Sequence, residues 1–521
     1  MSTYIFAIGG SGARVLRALT MLLASGCKGT SAQNEIVANV IDYDTQNGDT
    51  TRTLELMETY HKLHGAAYTH NDADTEQFFC NPLLMLRDKC DAAKQAQLDK
   101  NARFNMHLAQ TVTNTTFAKH IGYNSLGVGS NNMETKLLLQ SLYNTSDEKI
   151  PGTNEDNPDA ELNMNLHKGF KGCPNLGCIV TKYLEDSAEL RLAVDSLIGP
   201  NDKIIIIGSL FGGTGASGIP MLLDLFTRNP RTQNVRKAVI ALLPYFQLAP
   251  PDNNNKSAID SNTFIAKVKA ALTAYNGTIN NQANCFYYVG DQPQNAFANI
   301  DGDAGQRNDA HYVELASAMC VLDFIDQNGN GGFEVVLDNR PDSGLVKDSF
   351  CKQESYDPFI YPMARFKLFS TFCKNYFPPS HPKNNNDLWW HGIAERGCRA
   401  IGDANCNDYR KELLTFIGYF DTWIAELANH NSHRPLTLFN NTQDYKDVWA
   451  FKKLYTEGGF LGFGKWELKD EDFTLPLTNQ YNNDNPTGAG AVVNRPEYLF
   501  WKGSRHTMQE IDKILLNKGM I

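Results

Sequence analysis

Along the chain, apolar residues fall into short unbroken runs and into stretches spaced for helices, and two of the changeovers are built from glycine. The first run, over 4–8, breaks at Gly9-Gly10-Ser11-Gly12, after which Val15, Leu16, Leu19, Leu22 and Leu23 recur at helical spacing. This pattern predicts a strand, a glycine loop and a helix from Ala13 to about Ser25, with Gly26 as its stop. A second strand is expected over 35–43, ending in Asp42-Tyr43-Asp44-Thr45-Gln46. The strongest signal is 204–218, IIIIGSLFGGTGASG. Four isoleucines without alternation suit a parallel strand covered on both faces. Gly212, Gly213, Gly215 and Gly218 then let backbone amides point into one small volume, a concavity suited to phosphate oxygens. Thr214 and Ser217 add hydroxyl donors, and a helix is expected from near Ile219, with Pro220 in its first turn where a missing amide costs nothing.

Further strands are predicted over 237–243 and 284–289, and helices over 185–198, 261–276 and 308–326. The last is apolar around much of its circumference, which predicts burial between two domains rather than a surface position. Residues 46–170 are rich in helix formers over 53–63, 82–101 and 133–143 and end in a polar stretch, 144–161; they read as a mostly helical insertion. Beyond 333 the pattern changes to helices over 363–376 and 408–428, separated by a polar linker over 378–387 and a stretch over 388–400, then strand-like pieces over 492–501 and a closing helix over 507–517. The expected organisation is a Rossmann-like α/β domain over 1–330, with a mostly parallel sheet and helices on both faces, followed by an α+β domain over 331–521. Trp389-Trp390 in the second domain reads as core or as an interface anchor.

Composition narrows the function classes. A net charge of −10 carries no nucleic-acid footprint, and no apolar run reaches the ~20 residues that span a membrane. The N-terminus enters a strand at once without a basic leader, and the eleven cysteines include no CxxC pair, so reduced thiols in a cytoplasm are expected. His61/His64 and His430/His433 have helical i,i+3 spacing but no nearby carboxylate or cysteine to complete a site, and no residue is assigned as a metal ligand.

The glycine stretch at 204–218 is not a Walker A loop, since no Gly-Lys-Ser/Thr follows, and it is not a dinucleotide fingerprint, which would open the first βα unit. Phe211-Gly212-Gly213-Thr214-Gly215-Ala216-Ser217 resembles GGGTGSG, the signature of the tubulin and FtsZ family, with Phe211 in place of the first glycine. The resemblance extends to Gly9, Gly10, Ser11 and Gly12 as the first phosphate loop, where Ala13 replaces an asparagine, and to Asp44-Thr45-Gln46 against NTDAQ. It includes Cys173-Pro174-Asn175 within GCPNLG against GANPEVG. It implies that these segments wrap the phosphates of GTP or GDP with Mg²⁺ and without a P-loop lysine.

The family arrangement also makes Asn281 and Asn308 candidates for the guanine edge, although Asn280-Asn281 suits a turn equally. It makes Glu334 the candidate catalytic acid, reaching the nucleotide of the next subunit in a head-to-tail filament; a surface acid on a strand edge is the plain alternative. Two other readings fit the residues: a nucleotide-binding scaffold that meets protein partners through the insertion and C-terminal domain, and an NAD(P)-dependent oxidoreductase using Gly9–Gly12 with Asp42 or Asp44. The oxidoreductase leaves 204–218 unexplained.

Overall fold

The computed structural model describes residues 1–27, 35–44, 47–67, 78–100, 103–106, 115–127, 132–143, 160–166, 169–249, 259, 261–279, 281–292, 296–297, 299, 304–326, 333–336, 345–346, 350, 356–376, 403–429 and 435–439. Trp389-Trp390, His430, His433 and the elements expected over 492–517 lie outside them.

The parallel α/β sheet expected from the apolar runs is present. In chain order its strands are β1 (Ser2–Ile8), β2 (Glu35–Ile41), β3 (Leu83–Leu84), β4 (Asn105–Met106), β5 (Lys203–Ser209) and β6 (Arg236–Leu242). A short strand, β7 (Gln247–Leu248), precedes β8 (Cys285–Val289); β9 (Ala296–Phe297) pairs with β7 as a separate ribbon; and β10 (Phe333–Val336) closes the main sheet. The spatial order is β10-β8-β6-β5-β1-β2-β3, β4 also pairs with β2, and every one of these pairings is parallel. Ile205 lies between Ile5 of β1 and Ala238 of β6, and all four isoleucines 204–207 are fully buried, which is why that run shows no alternation.

From the centre the chain winds outward in two directions, through β1 and β2 to β3 and through β5 and β6 to β8. Right-handed crossovers then place the helix after β1 (Gly9–Ala24) and the helix after β5 (Gly213–Arg228) on opposite faces. Their N-termini stand side by side where the strand order reverses, the point at which such sheets bind ligands.

Both helices begin earlier than their sequences suggest: at Gly9 instead of Ala13, and at Gly213 instead of near Ile219. The glycines form the first helical turns rather than preceding loops. Pro220 consequently sits inside its helix, not in the first turn. It cannot donate to the carbonyl of Ala216, one turn earlier. The Tyr275 hydroxyl, on the helix Phe264–Thr278, donates to that carbonyl instead, at 2.8 Å in the core.

The helix expected over 308–326 starts at Tyr312, because the Asn308 amide is drawn to Asp49 and 304–311 runs as a strap. That helix is buried as expected and packs on the first helix. The stretch 82–101 is not one helix but β3, a tight turn at Leu86–Lys89 and the short helix Ala92–Gln95. Side chains from beyond residue 331 join the same apolar core as the N-terminal part: Phe79 meets Phe366 at 5.6 Å and Phe416 at 5.0 Å, and Phe78 meets Phe369 at 5.2 Å. No described helix is long and apolar enough to cross a membrane.

Replacing Tyr275 with Phe leaves the Ala216 carbonyl buried without a donor and should lower stability by about 1–3 kcal/mol in urea unfolding. Adding Pro220→Ala supplies a helical amide to the same carbonyl and should recover most of that loss. Unchanged stability of Tyr275→Phe would show that this carbonyl finds another donor.

Candidate functional site

The C-terminal ends of β1, β2 and β5 open on one half-open cleft. Gly9, Gly10 and Ser11 line it from the first helix, and Ser209, Phe211, Gly212, Gly213, Thr214 and Gly215 from the turn after β5. A third turn, Gly169-Phe170-Lys171-Gly172, closes over them. These turns touch one another. Gly9 has φ +71°, and a Cβ there would lie 3.5 Å from Thr214 Cβ; a Cβ on Gly213 would come within 2.7 Å of Phe170 Cβ. Thr214 therefore stands where all three meet.

Neither helix start has a side-chain cap: the preceding residues are Ile8 and Gly212, and neither first turn carries an acid. The orphan amides and positive helix ends are left to face the cleft, a ready-made place for an anion. At the opposite wall, Asp42 and Asp44 come from the end of β2, and Asn47 and Asp49 from the start of the helix Gly48–Ala67. Burial pushes the Asp42 carboxyl up to about 7; the Thr50 hydroxyl donates to it at 2.8 Å and works against that shift, while the nearby Asp44 charge adds to it.

Arg14 also lines the cleft and is almost fully buried. Its Nε meets Glu314 Oε1 at 2.5 Å and its Nη1 meets Asp49 Oδ2 at 3.2 Å. Burial alone would lower the Arg14 guanidinium, but these two carboxylates outweigh it and hold it well above its ordinary range. The Tyr245 hydroxyl donates to Glu314 Oε1 at 3.0 Å. Beyond the polar half lies an apolar lobe of Phe246, Leu248, Ile259, Phe264 and Phe297. Phe211 forms its inner edge, with its ring 4.8 Å from Phe264 and 5.4 Å from Phe246.

Of the residues singled out in the sequence, Gly9, Gly10, Ser11, Asp44, Phe211, Gly212, Gly213, Thr214, Gly215 and Asn308 are brought together here. Gly12 lies beneath, where a Cβ would sit 2.9 Å from the Ala7 carbonyl carbon. Ala216 and Ser217 lie deeper in their helix, and the Ser217 hydroxyl donates to the Gly213 carbonyl at 2.8 Å. Cys173, Pro174 and Asn175 follow the lining turn instead of forming it: Pro174 opens the helix Pro174–Val180, and Asn175 Nδ2 donates outward to Glu161 Oε1 at 2.9 Å. Asn281 is exposed and outside the lining. Glu334 lies in β10 at the sheet edge, with its side chain outside the described residues, as are Thr45 and Gln46 entirely.

Arg14, Asn47, Asp49, Gln306 and the apolar lobe are additions that sequence reasoning missed. Arg14 and Arg17 interrupting a leucine-rich helix were the one signal available. The helical histidines have structural roles: His61 Nδ1 meets the Leu83 carbonyl at 2.9 Å and His64 Nδ1 the Phe79 carbonyl at 2.7 Å. No cluster of three or more metal-ligating side chains occurs among the described residues.

No protein-family model and no curated protein matches the chain. Among solved structures it is similar to CetZ from Methanosaeta thermophila, at 13% identity and a TM-score of 0.25, over 63% of this chain and 54% of that one. It is also similar to CetZ2 from Haloferax volcanii in a GTPgS-bound protofilament, at 13% identity and a TM-score of 0.27, over 63% of this chain and 58% of that one. The chain thus spans little more than half the length of either.

The raised Asp42 carboxyl makes a pH prediction. Between pH about 4, where the unfolded chain loses this proton, and about 7, where the folded protein loses it, the folded state holds the extra proton. Its contribution to stability therefore falls as pH rises through that window and is level above it. Asp42→Asn should remove this component from the urea midpoint measured from pH 4 to 8; a profile parallel to the parent's would contradict the assignment.

Proposed function

We propose that this chain is a tubulin- and FtsZ-like guanine-nucleotide-binding protein that hydrolyses GTP to GDP with Mg²⁺, completing the reaction at a head-to-tail contact between copies. The observation that carries this reading is the pair of uncapped helix starts at Gly9–Ser11 and Gly213–Gly215, which face one cleft with Thr214 between them. Their amides donate to phosphate oxygens, and the Ser11 and Thr214 hydroxyls add two further donors. The apolar lobe receives the base and ribose, with aromatic faces for stacking and with Asn308 and Gln306 as polar contacts at the strap. Asn281 lies outside this volume, so Asn308 is the contact retained for the base edge.

The charge of the lining supports a cation. Asp42, Asp44 and Asp49 outnumber Arg14 and Lys171, and Arg14 is already bound to carboxylates. A highly anionic ligand beside Asp42 and Asp44 calls for compensation, and two carboxylates plus ligand phosphates and water form a donor set that suits Mg²⁺. When bound, Mg²⁺ neutralises phosphate charge and polarises the phosphoryl group. The chain's own contribution is to fix the phosphates for in-line attack by water, which depends on positioning more than on covalent chemistry. Glu334, at the sheet edge and not in this cleft, is the residue proposed to orient that water from a neighbouring copy.

A second reading, a nucleotide-binding scaffold that does not polymerise, draws on the helix Met133–Leu142 in the insertion. It leaves Met133, Leu137, Leu138 and Leu142 more than half exposed, as a partner surface would.

Purified protein should release guanine nucleotide on denaturation. Thr214→Ala and Ser11→Ala should each weaken GTP binding by about 3- to 10-fold, the loss of one hydrogen bond. Phosphate release per molecule and light scattering should rise together with protein concentration. Binding without either would favour the scaffold, and retained NAD with no guanine nucleotide would contradict both.

A further inference from the structure

The strap that carries Gln306 and Asn308 into the cleft is gripped from two sides. On the cleft side, Asp49 accepts the Asn308 amide at 3.2 Å, and Asn47 Nδ2 donates to Gln306 Oε1 at 2.7 Å. On the other side stands the end of the helix Asp403–Leu427: Glu426 accepts the Ala310 amide at 2.9 Å, and Asn429 Nδ2 donates to Asp309 Oδ2. Glu426 is itself fixed by Arg17 at 2.7 Å and Arg52 at 3.1 Å, and Arg52 reaches back to Asp49 at 2.6 Å. Arg17, Glu426, Arg52, Asp49, Arg14 and Glu314 therefore form one chain of alternating sign, running from the C-terminal helix to the cleft wall. The six side chains are between 2% and 16% exposed, so solvent screens them little. Burial alone would raise the Glu426 carboxyl, but the two arginines outweigh it and hold it below its usual range.

We propose that Glu426 is a positioning residue for the ligand cleft: it holds residues 306–310 against Asp49, so that ligand binding and docking of the helix Asp403–Leu427 are coupled. The inference rests on the nucleotide reading of the cleft. Neutralising Glu426 leaves Arg17 and Arg52 facing each other without their shared anion, and it reduces the acceptor of the Ala310 amide to an uncharged oxygen at most. The strap then loses its charged outer anchor and keeps the Asn429–Asp309 bond on that side, while Asp49 keeps its own pairs. Coupling is reciprocal, so a ligand that engages Asn308 or Gln306 must stabilise the docked helix by the same factor.

The test uses the full chain and a fluorescent GTP analogue. Glu426→Gln should raise the Kd about ten-fold or more, within the usual range of site-to-site coupling. Phe420→Leu serves as the control: Phe420 lies on the same helix and its ring packs on Phe366 at 4.8 Å, so its replacement should lower the melting temperature and, with the helix still docked, leave Kd unchanged. Equal Kd values for Glu426→Gln and the parent, or an equal loss in Phe420→Leu while amide exchange shows its helix still docked, would overturn the proposal. Should Glu426→Gln fail to fold, amide exchange in the parent decides: GTP should slow exchange over residues 419–427, and unchanged exchange there overturns the coupling. A parent chain that binds no guanine nucleotide would instead overturn the reading of the cleft, and this inference with it.

Discussion

The parallel pairing of β1 with β5, which sets Ile8 beside Gly208, is the constraint on which the rest of the structure depends. β1 runs directly into its helix and β5 does so after the short turn Leu210-Phe211-Gly212, and right-handed crossovers send the two helices to opposite faces, so their first turns lie next to each other. Each first turn carries amides with no helical acceptor, and neither is given a side-chain cap. Amides left unpaired away from water are costly, and two such turns pressed together against Gly169-Phe170 make a concavity whose natural complement is an anion.

Around that concavity the acidic wall and the ion chain have different tasks. Asp42 and Asp44 face the open cleft, and the burial that raises Asp42 toward neutrality makes a nearby cation welcome there. Asp49 is spoken for: Arg14, Arg52 and the Asn308 amide all converge on it. A paired, buried set of charges is a weak source of net stability but a demanding specification of geometry. Here it fixes five pieces of chain at once: the first two helices, the strap, the central helix that carries Glu314, and the helix Asp403–Leu427.

What could be read from the sequence was local. The run Ile204–Ile207 announces a doubly covered strand, and Gly212-Gly213-Thr214-Gly215 announces a tight glycine turn that lines the cleft, because strand burial and glycine chemistry act over a few neighbouring residues. The helix starts were misplaced by the same reasoning, since glycines that look like a loop serve as the first helical turn. Pro220 was assigned to a helix start for its missing amide, yet it is tolerated inside the helix because Tyr275, 59 residues from Ala216, supplies a donor. The sequence places the third turn at 172–177, which shares only Gly172 with the lining turn 169–172, where Lys171 adopts φ +43°, a conformation no local rule assigns to lysine. The ion chain was invisible because its partners lie 300 residues apart for Arg14 and Glu314 and 409 apart for Arg17 and Glu426.

That the two helix starts form one anion site is tested most directly by hydrogen exchange, followed separately in segments 9–16 and 211–220 while GTP and Mg²⁺ are added. A shared cradle slows exchange in both segments over the same ligand concentration range. Protection of one segment alone, or of neither at saturating ligand, would contradict the account.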